Sequence, residues 1–240
     1  MVKIKLLKTN NIHLKVDWNK LIVRSKLINV SDDYDYKNVN DFLVGNGYTH
    51  EVFLDYEKLK GKINVPEGFD IVIGITDFAF GDNFYVKRLS NNTALISISS
   101  IKYILEDKIP LENFILKCIY ELSTLFVFYG YNLRSNEIPP IIHEDTRKCL
   151  FDMNGNLLDL LISTKNIIIC DECKNTLQHG QLPENYINIL EKELKRIQVP
   201  IYIRLREWFK QKTIVALLVI LGLTILINLI SNIIYGIISK

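Results

Sequence analysis

Residues Leu111–Tyr129 read LENFILKCIYELSTLFVFY, the most apolar stretch of the chain before its C-terminal part. Most of its positions are apolar, and the polar residues Lys117, Glu121 and Thr124 form one narrow stripe at helical spacing. Gly130 follows at the position where a helix typically ends. Because a helix that is apolar over most of its circumference is buried inside a domain, the sequence predicts a central, buried helix here.

Two apolar runs upstream predict strands that this helix covers. Asp70–Thr76 (DIVIGIT) is continuously apolar, which is typical of a strand in a sheet covered on both faces. Thr93–Ser99 (TALISIS) alternates with period two, as a half-exposed or edge strand does, and Gly81-Asp82-Asn83 predicts a turn between the two runs. The prediction is an α+β fold, with a mixed β-sheet around a buried central helix. Further predicted elements are strands at 3–7, 13–17 and 20–30, a polar loop at 31–47 and an amphipathic helix at 183–197.

The C-terminal stretch Thr213–Ile238 contains no charged residue. A helix needs about 20 mostly apolar residues to cross a bilayer, so the sequence predicts one C-terminal transmembrane helix, with the lipid bilayer as a partner. The flank before it carries four cations and the flank after it only Lys240, which predicts a single-pass membrane protein whose N-terminal domain faces the cytoplasm. The four cations are Arg204, Arg206, Lys210 and Lys212. The predicted domains are 1–180, an amphipathic helix and juxtamembrane segment at 181–212, and the transmembrane helix at 213–238.

Polar side chains within this last helix fall on one stripe, which predicts an interface for self-association. The alternative is that the last three of them lie at the far membrane surface. The predicted interface residues are Thr224, Asn228, Ser231, Asn232 and Tyr235.

The composition limits the possible partners of the chain. The 240 residues carry a formal charge of +2, and no long basic block lies outside the flank of the last helix, which argues against nucleic acid as a partner. In a cytoplasmic domain, the 4 cysteines indicate metal binding or burial rather than disulfides.

The cysteine pattern predicts one structural zinc site. Cys170-Asp-Glu-Cys173 forms a C-x2-C pair, and Cys149 lies upstream of it. Zinc in such sites takes four ligands in a tetrahedron, and C-x2-C presents two of them from a single turn. His143 is the favoured fourth ligand, with His179 or Cys118 as alternatives. The competing interpretations of the C-x2-C pair are a redox pair and two small buried side chains.

The order of these features resembles the archaemetzincins, a family of zinc metallopeptidases with the hallmark HExxHxxGxxHCx4CxMx17CxxC. Cys149-Leu-Phe-Asp-Met153 is similar to the C-x-M region of that hallmark, and Cys170 and Cys173 are similar to its closing CxxC. His143 falls where the third histidine of the catalytic zinc stands, and Glu144 falls where the first structural cysteine stands. The resemblance covers about Asp70 to Leu177 and implies a zincin-like fold with a structural zinc.

The resemblance fails in the helix that would carry the catalytic zinc. If Glu121 is aligned with the catalytic glutamate, Tyr120 and Thr124 stand in place of the two histidines, and Val127 stands in place of the glycine. A catalytic zinc needs about three protein ligands and an open position for water. Glu121 is thus only a weak catalytic candidate, and an ion pair with Lys117 one turn earlier is the favoured explanation for it.

These observations predict a membrane-anchored binding or sensing module: a pseudo-metallopeptidase with a structural zinc site that recognises a protein partner, in a bacterial defence or stress system. One alternative is an active membrane-bound zinc metallopeptidase with a rearranged site built from Glu121, His143 and Glu144 or Asp145. Another alternative is a membrane-perturbing effector whose anchor forms oligomers. On the ligand argument, absence of catalysis is the preferred expectation.

Overall fold

The computed structural model divides the chain into two compact units, Met1–Gln198 and Val199–Lys240. It describes residues 1–9, 16–45, 51–82, 84–99, 101, 105, 109–133, 139–180, 182–197, 199 and 201–238. The predicted strand at 13–17 begins outside these described residues.

The first unit is built on a five-stranded mixed sheet with the strand order β2-β1-β5-β7-β6. β1, β2, β5 and β7 run parallel to one another, and β6 is antiparallel to β7. A separate antiparallel pair is formed by β3 and β4. The strands are β1 (Val2–Thr9), β2 (Ile28–Lys37), β3 (Leu43–Gly45), β4 (Val52–Leu54), β5 (Ile71–Thr76), β6 (Val86–Arg88) and β7 (Thr93–Ser97).

Burial explains why β5 lies in the middle of this sheet. All six residues of β5 are buried, as the continuous apolar run DIVIGIT predicts. Val72 belongs to a buried cluster with Leu7 of β1 and Leu95 of β7. Leu59 and Phe80, which lie outside the sheet, belong to the same cluster. The α+β class, with a mixed sheet, is confirmed.

Two predictions about this sheet, one for a strand and one for a loop, are wrong. β7 is an interior strand with every residue buried, because the edge is formed by the three-residue strand β6, which was not predicted and follows the predicted turn. Residues 31–37, predicted as a loop, form the outer half of β2. Their acidic side chains are tolerated because Lys5 Nζ lies 2.8 Å from Asp33 Oδ2 and 3.3 Å from Asp35 Oδ1.

Five helices complete the described part of the first unit. The central one, α2, runs from Leu111 to Phe128 and is buried from Phe114 to Val127, as predicted. Gly130 follows with a φ of 69°, a left-handed conformation that suits the end of a helix. The predicted amphipathic helix at 183–197 forms α5 and a 3-10 turn, with Tyr186, Leu190, Leu194 and Ile197 buried. The helices are α1 (Tyr56–Leu59), α2 (Leu111–Phe128), α3 (Leu157–Lys165), α4 (Asp171–Gln178) and α5 (Tyr186–Leu194).

The second unit contains α6 (Ile201–Gln211) and α7 (Thr213–Ile238). Over the residues that the structure describes, no helix is both long and apolar enough to cross a membrane. On this finding the prediction of a transmembrane helix is wrong, and so is the predicted single-pass localisation. The five polar residues predicted as its interface lie exposed on α7, and Thr224 Oγ1 donates to the Ile220 carbonyl at 2.9 Å.

Candidate metal centre and adjoining cleft

The structure brings His143, Cys149, Cys170 and Cys173 together, with one ligand atom of each lying within 4.8 Å of the others. We call this group the His/Cys cluster. Cys149 Sγ lies 3.7 Å from Cys173 Sγ, and Cys170 Sγ lies 3.4 Å from His143 Nε2. Cys149 and Cys173 are buried, whereas Cys170 and His143 are partly exposed. Such a group could hold a metal ion. That it binds one remains a prediction.

A tight turn positions Cys149. The Asp152 carboxylate accepts hydrogen bonds from the backbone N–H groups of Cys149 at 2.9 Å and Arg147 at 3.1 Å, which closes the turn. Lys148 has a φ of 63°, a left-handed conformation that lets the chain reverse. Leu150 N–H then donates to the Ile168 carbonyl at 2.8 Å and ties the turn to the segment that leads to Cys170.

The start of α4 positions the other two thiols. Cys170 is the residue before the helix, and Cys173 lies in its first turn. Cys170 N–H points at Cys149 Sγ across 3.4 Å. The N-terminus of a helix carries partial positive charge and unpaired N–H groups, which favours thiolates. The C-x2-C spacing therefore places two sulfurs on one side of a helix start.

Proximity of the thiols changes their acidity. The hydrogen bond between Cys173 and Cys149 lowers the pKa of Cys149 to about 5, because it stabilises that thiolate. The same contact raises the pKa of Cys173. Because the thiolate is the form of cysteine that binds a metal, the lowered pKa favours Cys149 as a ligand.

Asp152 also orients the histidine. His143 Nδ1 lies 3.2 Å from Asp152 Oδ1 and 3.2 Å from the Asp145 carbonyl oxygen, so that Nε2 faces the sulfurs. Asp152 is buried, and its Oδ1 meets no partner at hydrogen-bond geometry among the described residues. Burial raises the pKa of this carboxyl group. A carboxylate behind a histidine is the arrangement that fixes the ring of a metal ligand.

The two alternative fourth ligands lie outside the cluster. His179 follows α4, is exposed, and its Nδ1 lies 2.6 Å from the Asn175 carbonyl oxygen. Cys118 is fully buried on α2, and burial raises the pKa of its thiol well above the ordinary value. Neither belongs to the group of side chains that the structure brings together.

A cleft of about 320 Å³ adjoins the cluster in the first unit. β6 and the segment before it form one wall, and Glu121, Leu122 and Leu125 of α2 form another. Asp152 and Met153, from the turn that builds the cluster, also line the cleft. Asp152 thus belongs to both features.

Glu121 lies in this cleft with 9 % of its surface exposed, and its Oε2 is buried without a hydrogen-bond partner among the described residues. Burial raises the pKa of Glu121 to about 7, although Lys117 and Arg88 oppose the shift through their charge. Among the described side chains, Lys117 and Glu121 do not form the expected ion pair. Lys117 is fully buried, and its Nζ instead donates to Ser163 Oγ at 3.3 Å.

Tyr120 and Thr124, which the resemblance aligns with catalytic histidines, are not part of the cleft lining. Burial raises the pKa of Tyr120, and the nearby charge of Glu193 on α5 raises it further. Thr124 Oγ1 donates to the Tyr120 carbonyl at 2.8 Å and lies 3.4 Å from Tyr186 Oη. Both residues contact α5 or the turn after it, so the cleft face of α2 differs from the one that the alignment assumes.

The rearranged catalytic site is not assembled either. His143 belongs to the His/Cys cluster, and the Asp145 carboxylate accepts from Arg147 Nε at 2.7 Å. That hydrogen bond lowers the pKa of Asp145. Glu144 is exposed. Among the described residues, the His/Cys cluster is the only group of three or more neighbouring His, Cys, Asp or Glu side chains that could hold a metal ion.

The sequence prediction missed Asp152. Its signal is the spacing Cys149-Leu-Phe-Asp152, since a carboxylate three residues after a ligand can accept the N–H groups of a tight turn. Tyr85 was also missed. Its hydroxyl group lies in the cleft, where it accepts from Asn154 Nδ2 at 3.0 Å.

Comparison of the chain with models of known protein families, with curated proteins and with solved structures finds no match. The archaemetzincin resemblance therefore stays a hypothesis that rests on the residues quoted above.

Proposed function

We propose that the first unit is a zinc-stabilised binding module whose cleft takes a segment of a protein partner without hydrolysing it. The observation that carries the proposal is the double role of Asp152, which builds the His/Cys cluster and lines the cleft. A metal in the cluster would stabilise the turn and with it one wall of the cleft.

The chemistry of the four ligands favours zinc. Zinc binds thiolates at ~2.3 Å and imidazole at ~2.0–2.1 Å, so a tetrahedral site has S–S edges of about 3.8 Å and S–N edges of about 3.5 Å. The cluster has a Cys149–Cys173 sulfur distance of 3.7 Å and a Cys170–His143 sulfur–nitrogen distance of 3.4 Å. Three soft sulfurs and one imidazole would fill all four positions of a tetrahedral ion and leave none open for water, which suits a structural site rather than a catalytic one.

The cleft suits an extended segment of a protein. β6 is an edge strand, so a segment could add to the sheet there through backbone hydrogen bonds. Exposed Phe84 and the half-buried Tyr56 supply aromatic surface, and Lys87 Nζ lies 4.4 and 4.5 Å from their ring centroids. Glu121 supplies a buried acceptor at the base of the cleft.

An active metallopeptidase is the competing function, because a carboxyl group with a pKa near 7 could act as a general base. The residues of α2 that line the cleft disfavour peptidase activity. Besides Glu121, the residues of α2 that line the cleft are Leu122 and Leu125, and neither can bind a metal.

Metal content of the purified chain tests the structural part of this proposal. We expect one zinc per chain, lost in Cys170→Ser with a fall in unfolding free energy of more than about 3 kcal/mol. Cys118→Ser is the matched control, because it changes a buried thiol outside the cluster and should retain the metal. A wild-type chain without metal, or equal metal content in both variants, would contradict the structural role.

A peptide library, incubated with the zinc-loaded chain, tests the cleft. We expect binding without chelator-sensitive cleavage, and a loss of affinity of about tenfold or more in Phe84→Ala. Tyr36→Ala truncates an exposed aromatic residue of β2 outside the cleft and should retain binding. Chelator-sensitive cleavage that Glu121→Gln abolishes would establish the peptidase instead.

A further inference from the structure

Glu121 borders the cleft as a buried acid without a contacting counter-ion. Only 9 % of its surface is exposed, and its Oε2 has no hydrogen-bond partner among the described residues. Removing a carboxylate from water without a partner costs free energy, and folded proteins pair nearly all such groups. Because Glu121 lies at a cleft rather than in a closed core, a partner can reach it from a bound molecule.

The cations near Glu121 do not compensate for its burial. Lys117 and Arg88 act on its carboxylate through their charge, yet burial outweighs both of them and the pKa of Glu121 is raised. The other two cations that line the cleft, Lys60 and Lys87, already have acidic partners. Their contacts are Lys60 with Glu57 at 2.7 Å and Lys87 with Asp82. A cation in direct contact with Glu121 is therefore missing from the described part of the cleft.

The lining around Glu121 suits the stem of a long basic side chain. Leu122 and Leu125 continue the wall that α2 forms, and Ile142 and Met153 also line the cleft. Lysine and arginine carry a hydrocarbon stem behind their charged head, so that the stem can cover apolar surface while the head reaches a polar group. The cleft thus combines an apolar wall with one buried acid.

We propose that the cleft selects a lysine or arginine side chain of the bound segment, with the charged head at the Glu121 carboxylate and the stem on the apolar wall. This inference rests on the proposed function, since it names the residue class that the binding module recognises. A neutral side chain would leave the carboxylate unpaired, and an acidic one would bring two like charges together.

A positional-scanning library of hexapeptides, acetylated and amidated at their ends, tests the proposal on the zinc-loaded full chain. The blocked ends leave the side chains as the only charges of each peptide, and pH 8 keeps Glu121 ionised. We expect one position at which lysine or arginine is enriched over norleucine and glutamate. The best-bound peptide should lose about tenfold or more in affinity when norleucine, which keeps the stem and lacks the charge, replaces its basic residue.

Glu121→Gln assigns this preference to a single side chain. The amide keeps the size of the carboxylate and removes its charge, so the basic peptide and its norleucine counterpart should bind this variant within about threefold of each other. Glu184→Gln is the matched control, because it makes the same change at an exposed position outside the cleft lining. It should keep the full difference between the two peptides.

The remaining outcomes separate this inference from the proposed function. Peptides that bind the wild-type chain equally well with norleucine and with a basic residue would overturn this inference alone. A preference for basic residues that persists in Glu121→Gln would overturn the role of Glu121. Failure of every library peptide to bind would overturn the proposed function, and this inference with it.

Discussion

At the scale of single residues, Asp152 has the clearest expected effect on metal affinity. Its carboxylate accepts two backbone N–H groups of the turn and faces His143 Nδ1. We expect Asp152→Asn to weaken zinc binding about 10- to 100-fold, because the amide no longer holds the imidazole by charge. Competition with a chromogenic zinc chelator measures this change.

Asp145→Asn is the control for Asp152→Asn. Asp145 lies beside the same histidine, but only its backbone carbonyl approaches the ring, while its carboxylate contacts Arg147. Zinc affinity should therefore be unchanged in Asp145→Asn. Equal affinities of the two variants would show that Asp152 does not act through His143.

Glu121 should make the stability of the first unit depend on pH. Burial raises its pKa from 4.5 to about 7, so the folded state binds the proton more tightly than the unfolded state does. Glu121 therefore lowers stability as pH rises from about 4.5 to about 7, by on the order of 3 kcal/mol in total. We expect Glu121→Gln to remove this loss and to gain stability relative to wild type at pH 8 but not at pH 4.

Urea unfolding of both proteins at pH 4, 6 and 8 measures the difference, with Glu57→Gln as a control at an exposed position in the same cleft. Titration of the cysteines affects all three proteins alike and cancels in the comparison. A Glu121→Gln variant that follows the wild-type profile would mean that the carboxyl group is solvated.

At the scale of elements, the contact between the segment after α4 and the end of α2 depends on a missing side chain. A Cβ at Gly180 would lie 2.5 and 2.6 Å from the Phe128 ring, closer than van der Waals contact allows. We expect Gly180→Ala to destabilise the protein by about 1–3 kcal/mol, because an aromatic ring must move. Gly155→Ala, where no atom lies within 4 Å, should change stability by less than about 0.5 kcal/mol. Thermal unfolding of the two variants compares them, and equal midpoints would contradict the contact.

The elements that could be predicted are those in which local pattern and tertiary environment agree. DIVIGIT and the central helix are apolar enough to specify burial by themselves, and C-x2-C brings two ligands together through local geometry. β6 could not be predicted, since three residues carry no periodicity and pair only because β7 is already present. The acidic half of β2 depends on Lys5, a residue far away in the sequence.

The candidate metal site, likewise, could be predicted only where a local sequence pattern specifies it. His143 lies in an irregular segment, so its place in the cluster depends on its pairing with Asp152 rather than on a local pattern. The face of α2 that lines the cleft also depended on tertiary packing. Tyr120 and Thr124 match the hallmark in spacing, yet they contact α5 or the turn after it.

At the scale of the whole molecule, exposed apolar surface is concentrated in the second unit, where most large hydrophobic residues from Tyr202 to Tyr235 are exposed. Apolar patches of this extent promote association. We expect removal of residues 199–240 to leave the metal content of the first unit unchanged, because its ligands lie in that unit, and to abolish aggregation in size-exclusion chromatography with light scattering. Loss of metal on truncation would contradict the division into two units.

The position of the His/Cys cluster in the sequence also determines when the cluster can form during synthesis, relative to the sheet. Its ligands lie between residues 143 and 173, after all seven strands, while β1 must wait for β5 to pair. During synthesis the sheet, whose strands pair over long sequence separations, can therefore form before Cys173 has left the ribosome. The loops between the cluster residues are short, so closing them afterwards costs little conformational entropy. If the cluster binds zinc as proposed, metal capture is a late event. Until then the nascent chain presents free thiols, and oxidants and quality-control proteases have access to it during this interval.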